Sequence, residues 1–293
     1  MSKTRNEIIT TSDSYPYATG MGFRNRCHMI FDEFHQDDGS IIVNEGQVVF
    51  VKTDLVQLFF KNVMPSIQHK IKIITHNSAL GIDENYRHLL DHPQVIAWYA
   101  QNANFEHEKL TSIPLGLANL RWAHGDIDQI NKVVKKKNKR THLVYMNFDI
   151  NTNIGKREEV FKLFQDKDFV LSAERKPFKD YLLDLRMSKY ALSPAGAGID
   201  CHRIWESLAV GTIPIVERCH NISFYEDLPI LIIDNWGNVT REFLEDKYEE
   251  IMSKNSDSSL LLDHWIDKIG LMDKKYRTIH NQQGSNFNLF MIG

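Results

Sequence analysis

Between Tyr190 and Val216 the chain reads Tyr-Ala-Leu-Ser-Pro-Ala-Gly-Ala-Gly-Ile-Asp-Cys-His-Arg-Ile-Trp-Glu-Ser-Leu-Ala-Val-Gly-Thr-Ile-Pro-Ile-Val. Its order is strand, glycine loop, amphipathic helix, glycine stop, strand. Pro194 ends the first strand, and Gly196 and Gly198 let the backbone turn sharply and approach a ligand. Asp200 is a suitable N-cap for the helix. Ile204, Leu208 and Ala209 supply a buried stripe, and Gly211 is placed to be its C′ residue. A strand, helix, strand unit of this kind belongs in a parallel α/β sheet.

The rest of the chain repeats the alternation. Gln47 to Val51, Lys70 to Thr75 and Val95 to Tyr99 read as strands, with a helix from Asp54 to Val63 and Ile113 to Leu117 closing the first half. A polar stretch from His124 to Thr141 follows, with six basic residues in the nine from Lys132 to Arg140. Strands then fall at 142–146, 169–172, 190–193, 212–216 and 230–233, and helices at 157–164 and 177–186. The pattern predicts two Rossmann-like halves facing a cleft: residues 1–137, residues 138–280, and a tail, 281–293, returning to the first half. The basic run reads as a solvated helix end or linker.

The free N–H groups at the start of the helix after Asp200 make a site for an anion such as a diphosphate. Arg203 and Glu206 share a face of that helix. Arg203 can bring its fork to phosphate oxygens, and Glu206 can accept from ribose hydroxyls. Asn147 and Arg157 flank the loop after the strand 142–146, where open sheets bind ligands. Ser172 and the loop to Pro177 are candidates for lining a base.

Ser193-Pro-Ala-Gly-Ala-Gly-Ile-Asp-Cys-His-Arg-Ile-Trp-Glu-Ser-Leu with Gly211-Thr-Ile-Pro-Ile-Val resembles the donor-site signature of the exostosin-like glycosyltransferases. The compact members encoded by large DNA viruses of algae and by some bacteria are similar. Phe50-Val-Lys-Thr-Asp, Thr75-His-Asn-Ser and Ser112-Ile-Pro-Leu-Gly-Leu-Ala-Asn extend the likeness loosely to the first half. The resemblance implies a GT-B fold, with donor residues Ser193, Pro194, Gly196, Ala197, Gly198, Asp200, His202, Arg203 and Glu206. It implies an inverting, metal-independent transfer from a nucleotide sugar, usually a uridine diphosphate sugar, to a glycan hydroxyl of an oligosaccharide or glycoprotein. UDP-xylose is the donor suggested by the viral relatives, and no cofactor is expected beyond the substrate. Retaining GT-B enzymes often carry two glutamates seven residues apart. Here ten residues separate Glu206 from Glu217.

Inversion requires a base across the cleft. Asp54 and His76, each following a first-half strand, are the candidates, with helix capping and a structural ring as their plainer roles. Asp126-x-Asp128 fits a metal-binding pattern but reads better as helix-start acid, and no metal site is expected. Gly155-Lys156 is no phosphate loop, and His88 and His92 lack the glutamate of a zinc protease.

Two alternatives stay open. One is a nicotinamide-linked dehydrogenase with its fingerprint at Gly196 and Glu217 as ribose acid, and Cys201 where the third glycine belongs. The other is a nucleotide- or glycan-binding protein without turnover. Composition narrows the field further. A net charge of −3 argues against a nucleic-acid coat, three cysteines against a disulfide scaffold, and the absence of a long apolar run against a membrane span. A cytoplasmic protein is expected, with no prediction of its oligomeric state.

Overall fold

The computed structural model describes residues 13–36, 42–137, 139–254 and 258–271. The first sheet holds β1 (Met29–Phe31), β2 (Val48–Lys52), β3 (Ile71–His76), β4 (Val95–Ala100) and β5 (Leu110–Ser112), side by side in chain order and all parallel. The second holds β6 (His142–Met146), β7 (Val170–Ser172), β8 (Ser188–Leu192), β9 (Ile213–Glu217) and β10 (Leu231–Ile233). It is again parallel, in the order β10-β9-β8-β6-β7. Strands of such sheets are covered on both faces, so they read as near-continuous apolar runs. Val48, Val49, Phe50 and Val51 are all buried.

In the first half, α1 (Gly20–Arg26) precedes β1, and α2 (Val56–Asn62) and α3 (Arg87–Leu90) connect later strands. α4 (Ile127–Val134) lies in the crossover. In the second half, α5 (Ile154–Phe164), α6 (Phe178–Arg186) and α7 (His202–Ala209) link successive strands. α8 (His220–Ser223), α9 (Arg241–Met252) and α10 (Leu262–Ile269) complete the chain. The two-sheet GT-B arrangement expected from the sequence is present.

The halves are welded by one apolar cluster. Phe23, Phe50, Ile74 and Leu117 of the first half join Tyr181, Ile204, Trp205 and Leu208 of the second. Each such side chain contributes on the order of 1.5–3 kcal/mol when fully buried. The chain crosses over before α4, because Ile130 and Val133 belong to this cluster and α4 packs on α6. It returns through α10. The Leu262 N–H donates to the Pro16 carbonyl at 2.9 Å, and Lys72 Nζ donates to the Ile269 carbonyl at 2.7 Å. The predicted tail, 281–293, lies outside the described residues.

Ile113 to Leu117, which closes the first half, is a loop that follows β5. One local reading is corrected: the basic run is not wholly solvated. Arg140 donates to the carbonyls of Arg186 (3.1 Å), Ser188 and Gly211, so its guanidinium staples the end of α6 to the turn after α7.

The second sheet carries the feature that positions a site. From β6 the chain goes to β7 at the sheet's edge, then crosses back to β8 on the other side of β6. The carboxyl ends of β6 and β8 therefore splay their loops in opposite directions, and ligands of open α/β sheets bind in the crevice at such a reversal.

Candidate functional site

Both loops at that reversal carry the residues singled out from sequence. After β8, Ser193 is buried with its N–H on the Ile215 carbonyl at 2.9 Å, and Pro194 is buried beside it. The chain then turns at Gly196, whose N–H donates to the Gly198 carbonyl at 3.0 Å, leaving Ala197 exposed at the apex. After β6, Asn147 Nδ2 donates to the carbonyls of Ala173 (3.2 Å) and Glu174 (2.8 Å). It thus fixes the segment that follows the exposed Ser172.

Arg157, on α5, joins the two loops. Nε donates to the Ala195 carbonyl (3.2 Å), Nη1 to Asp149 (2.9 Å) and Nη2 to Pro194 (3.2 Å). Only 5% exposed, this guanidinium spends its donors on the protein. A Cβ at position 196 would lie 2.6 Å from its Nη2, which explains the glycine there.

Arg203 has the opposite character. Its Nε and Nη1 are buried and have no hydrogen-bond partner among the described residues. Its guanidinium lies 5.7 Å from the Phe148 ring centroid, while Arg157 lies 5.6 Å from the same centroid. Two cations thus lie near one ring at the crevice, and one of them lacks the partners that buried donors ordinarily find.

Glu206 is 5% exposed, and its Oε2 accepts from the Tyr181 hydroxyl at 2.8 Å. Burial raises its pKa, against the lowering effects of that hydrogen bond and of Arg203. Phe178 stacks on Tyr181 with ring centroids 6.1 Å apart.

Asp200 is not the helix N-cap. Cys201 occupies that position and gives no side-chain cap bond. The Asp200 carboxylate turns inward, accepting from the Leu115 N–H (2.8 Å) and from Trp205 Nε1 (2.9 and 3.0 Å). His202, predicted to face the donor, pairs its Nδ1 with the Gly116 carbonyl at 2.8 Å. Both therefore serve the junction between the halves.

Of the two predicted bases, His76 is ruled out by its bonds. Nδ1 accepts from the Asn77 N–H at 2.7 Å, so Nε2 carries the proton and donates it to the Pro114 carbonyl at 3.1 Å. The ring is 1% exposed and has no free lone pair. Asp54 lies exposed at the carboxyl end of β2, with no hydrogen bond to its carboxylate among the described residues. Asp126 caps α4, accepting from the N–H groups of Asp128 (3.0 Å) and Gln129 (3.2 Å), as its helix-start reading predicted. Among the described residues no group of three or more His, Cys, Asp or Glu side chains is placed to hold a metal ion.

These buried groups give stability an opposed pH dependence. Burial pushes His76 and His202 down to about 4. Below about pH 6.5 the unfolded chain therefore takes up protons that the folded rings refuse, and stability falls as pH drops towards 4. Burial pushes Asp200 up to about 7. In the same window the folded chain holds a proton that the unfolded one has released, which favours the fold on acidification. Asp200→Asn removes that offset. Its denaturation midpoint should fall more steeply than the parent's between pH 6.5 and 4.5, and an equal or shallower fall would contradict this assignment.

Residues 134–279 match the family model of the RXYLT1 C-terminal domain. The chain is an exostosin-like protein of GT-B architecture. Membership in the exostosin-like family removes the nicotinamide reading, and Glu217, its ribose acid, is instead ion-paired with Lys156 at 3.5 Å. No curated protein matches the chain. Among solved structures, a GtfA/B complex is 12% identical with a TM-score of 0.38, covering 82% of this chain and 57% of its own. A UDP-forming α,α-trehalose-phosphate synthase from Burkholderia vietnamiensis is 9% identical with a TM-score of 0.46, covering 78% and 71%. The pneumococcal O-GlcNAc transferase GtfA in complex with UDP and GlcNAc is 10% identical with a TM-score of 0.36, covering 83% and 58%. The exostosin-like chain thus spans little more than half of the GtfA-type structures, and likenesses below a TM-score of 0.5 carry no functional argument. No helix among its described residues is long and apolar enough to cross a membrane.

Proposed function

We propose that the chain transfers a sugar from a nucleoside diphosphate sugar to a glycan hydroxyl, with inversion and without a metal ion, in the cytoplasm of the producing cell. A uridine diphosphate donor, UDP-xylose first among them, follows from the family likeness. The observation that carries the reading is Arg203, a half-buried side chain whose Nε and Nη1 are buried and unpartnered among the described residues, beside a glycine loop at the switch point of a parallel sheet. An anion with several oxygens fits that vacancy in hydrogen bonding.

On this reading the diphosphate lies between the loop Ser193–Gly198 and Arg203. Glu206, oriented by Tyr181, is directed to the ribose hydroxyls. The acceptor oxygen attacks the anomeric carbon as the bond from that carbon to the diphosphate oxygen breaks. The electron pair leaves with the nucleoside diphosphate, where Arg203 meets the growing charge. The acceptor proton passes to a base on the first half, and Asp54 is the remaining candidate. No cofactor takes part.

A panel of uridine and guanosine diphosphate sugars, incubated with the protein in EDTA, tests this. Release of the diphosphate with at least one donor, and a product of inverted anomeric configuration by NMR, is the expected result. Donor binding without turnover would favour the binding-protein alternative. The absence of both binding and turnover would refute the site itself.

A further inference from the structure

We infer that Asn102, on the half opposite the glycine loop, is the positioning residue that holds this loop in its anion-binding shape. The inference rests on the donor-site reading above. Asn102 follows β4 and is 2% exposed, with the left-handed backbone φ of 55° that is uncommon outside glycine. Its own backbone is pinned. The Asn102 carbonyl accepts from the Ile82 N–H at 3.2 Å, and a Cβ at Gly81 would lie only 2.3 Å from that oxygen. The side-chain amide then spans the far loop. Oδ1 accepts from the Asp200 N–H at 2.8 Å, and Nδ2 lies 2.6 Å from where a Cβ on Gly198 would stand.

Two further clasps act along the same stretch. Leu115 N–H holds the Asp200 carboxylate, and the Gly116 carbonyl holds the His202 ring. Residues 200 and 202 are therefore held by the first half, and the Asn102 amide packs closely against Gly198. Ala197 stays exposed, and Arg203 points to Phe148 on the crevice side. Sequence reasoning missed Asn102, because its partners lie about a hundred residues away. Gly198 has its explanation here, in the close approach of an amide. An anion-binding loop held in place before the ligand arrives loses less entropy on binding. The half assigned to the acceptor thus sets the shape of the half assigned to the donor.

Asn102→Gly is the informative variant, since glycine adopts the left-handed backbone freely. Calorimetry with UDP and NMR titration with uridine separate the diphosphate contribution from that of the nucleoside. The variant should lose roughly tenfold in UDP affinity, the worth of about one charge-assisted hydrogen bond, with uridine affinity unchanged. Gly198→Ala should weaken UDP binding in the parent, where the new methyl meets the Asn102 amide. In the Asn102→Gly background it should cost little more, because only the Ala79 carbonyl, 3.3 Å away, still crowds that position. Unchanged UDP affinity in Asn102→Gly, an equal loss for uridine, or strictly additive losses in the double variant would each overturn the inference. A parent protein that binds no UDP would instead refute the donor-site reading, and the inference with it.

Discussion

Arg203→Met should abolish most of the affinity for UDP while leaving the melting temperature unchanged or higher. The two effects share one cause. In the free protein, Arg203 keeps two buried nitrogens without partners among the described residues. A buried polar group in that state costs on the order of 1–3 kcal/mol relative to a satisfied one. Methionine fills similar space, keeps an apolar stem against Phe148 and removes the unsatisfied donors. When a diphosphate binds, the same nitrogens gain charged partners, and hydrogen bonds of that kind are worth about 1.5–3 kcal/mol. The expected loss in affinity is therefore roughly 10- to 150-fold. Calorimetry with UDP and a thermal melt of both proteins check the two halves of the prediction. A variant that melts well below the parent and still binds UDP normally would make Arg203 a structural residue.

Arg157→Met should show the reverse in stability. The Arg157 guanidinium satisfies the carbonyls of Asp149, Pro194 and Ala195; removing it strands those of Pro194 and Ala195 beside the glycine loop, while the Asp149 carbonyl keeps the Thr152 hydroxyl at 2.9 Å. A loss of about 3 kcal/mol is expected, which for a chain of this size lowers the melting temperature by roughly 6 °C or more. Lysine should not rescue it, because one ammonium cannot reproduce a planar fork reaching three acceptors. UDP binding should weaken as well, through the shape of the loop. The check is a denaturant titration of parent, Met and Lys variants, and a Lys variant as stable as the parent would overturn the bracing role. Two arginines near one phenylalanine thus separate: one spends its hydrogen bonds on the fold, and the other, on the donor-site reading, leaves two for a ligand.

Local signals in the sequence were sufficient for the unit around α7. The run of strand, loop, helix and strand is present, and Gly211 has the left-handed φ of 77° that its C′ role requires. Such features depend on neighbours within a few residues. Where the reading failed, at least one deciding partner was distant in sequence. Asp200 has the chemistry of an N-cap, yet Leu115 and Trp205 claim its carboxylate. His76 follows a strand as a base would, yet the Asn77 N–H and the Pro114 carbonyl occupy both ring nitrogens. Arg140 sits in a run of charge that reads as solvated, but it satisfies carbonyls some fifty and seventy residues further on. β1 is only three residues long and offers no periodicity to detect. The strand order that creates the switch point is a property of the assembled sheet and has no local signature.

The account depends on an anion being held between the loop after β8 and the guanidinium of Arg203. A crystal structure of the protein soaked with UDP is the most direct measurement. The account predicts the diphosphate oxygens within hydrogen-bonding distance of Arg203 Nε and Nη1, with the uridine extending past the loop held by Asn147. A nucleotide bound elsewhere, with the Arg203 nitrogens still unpartnered, would contradict it.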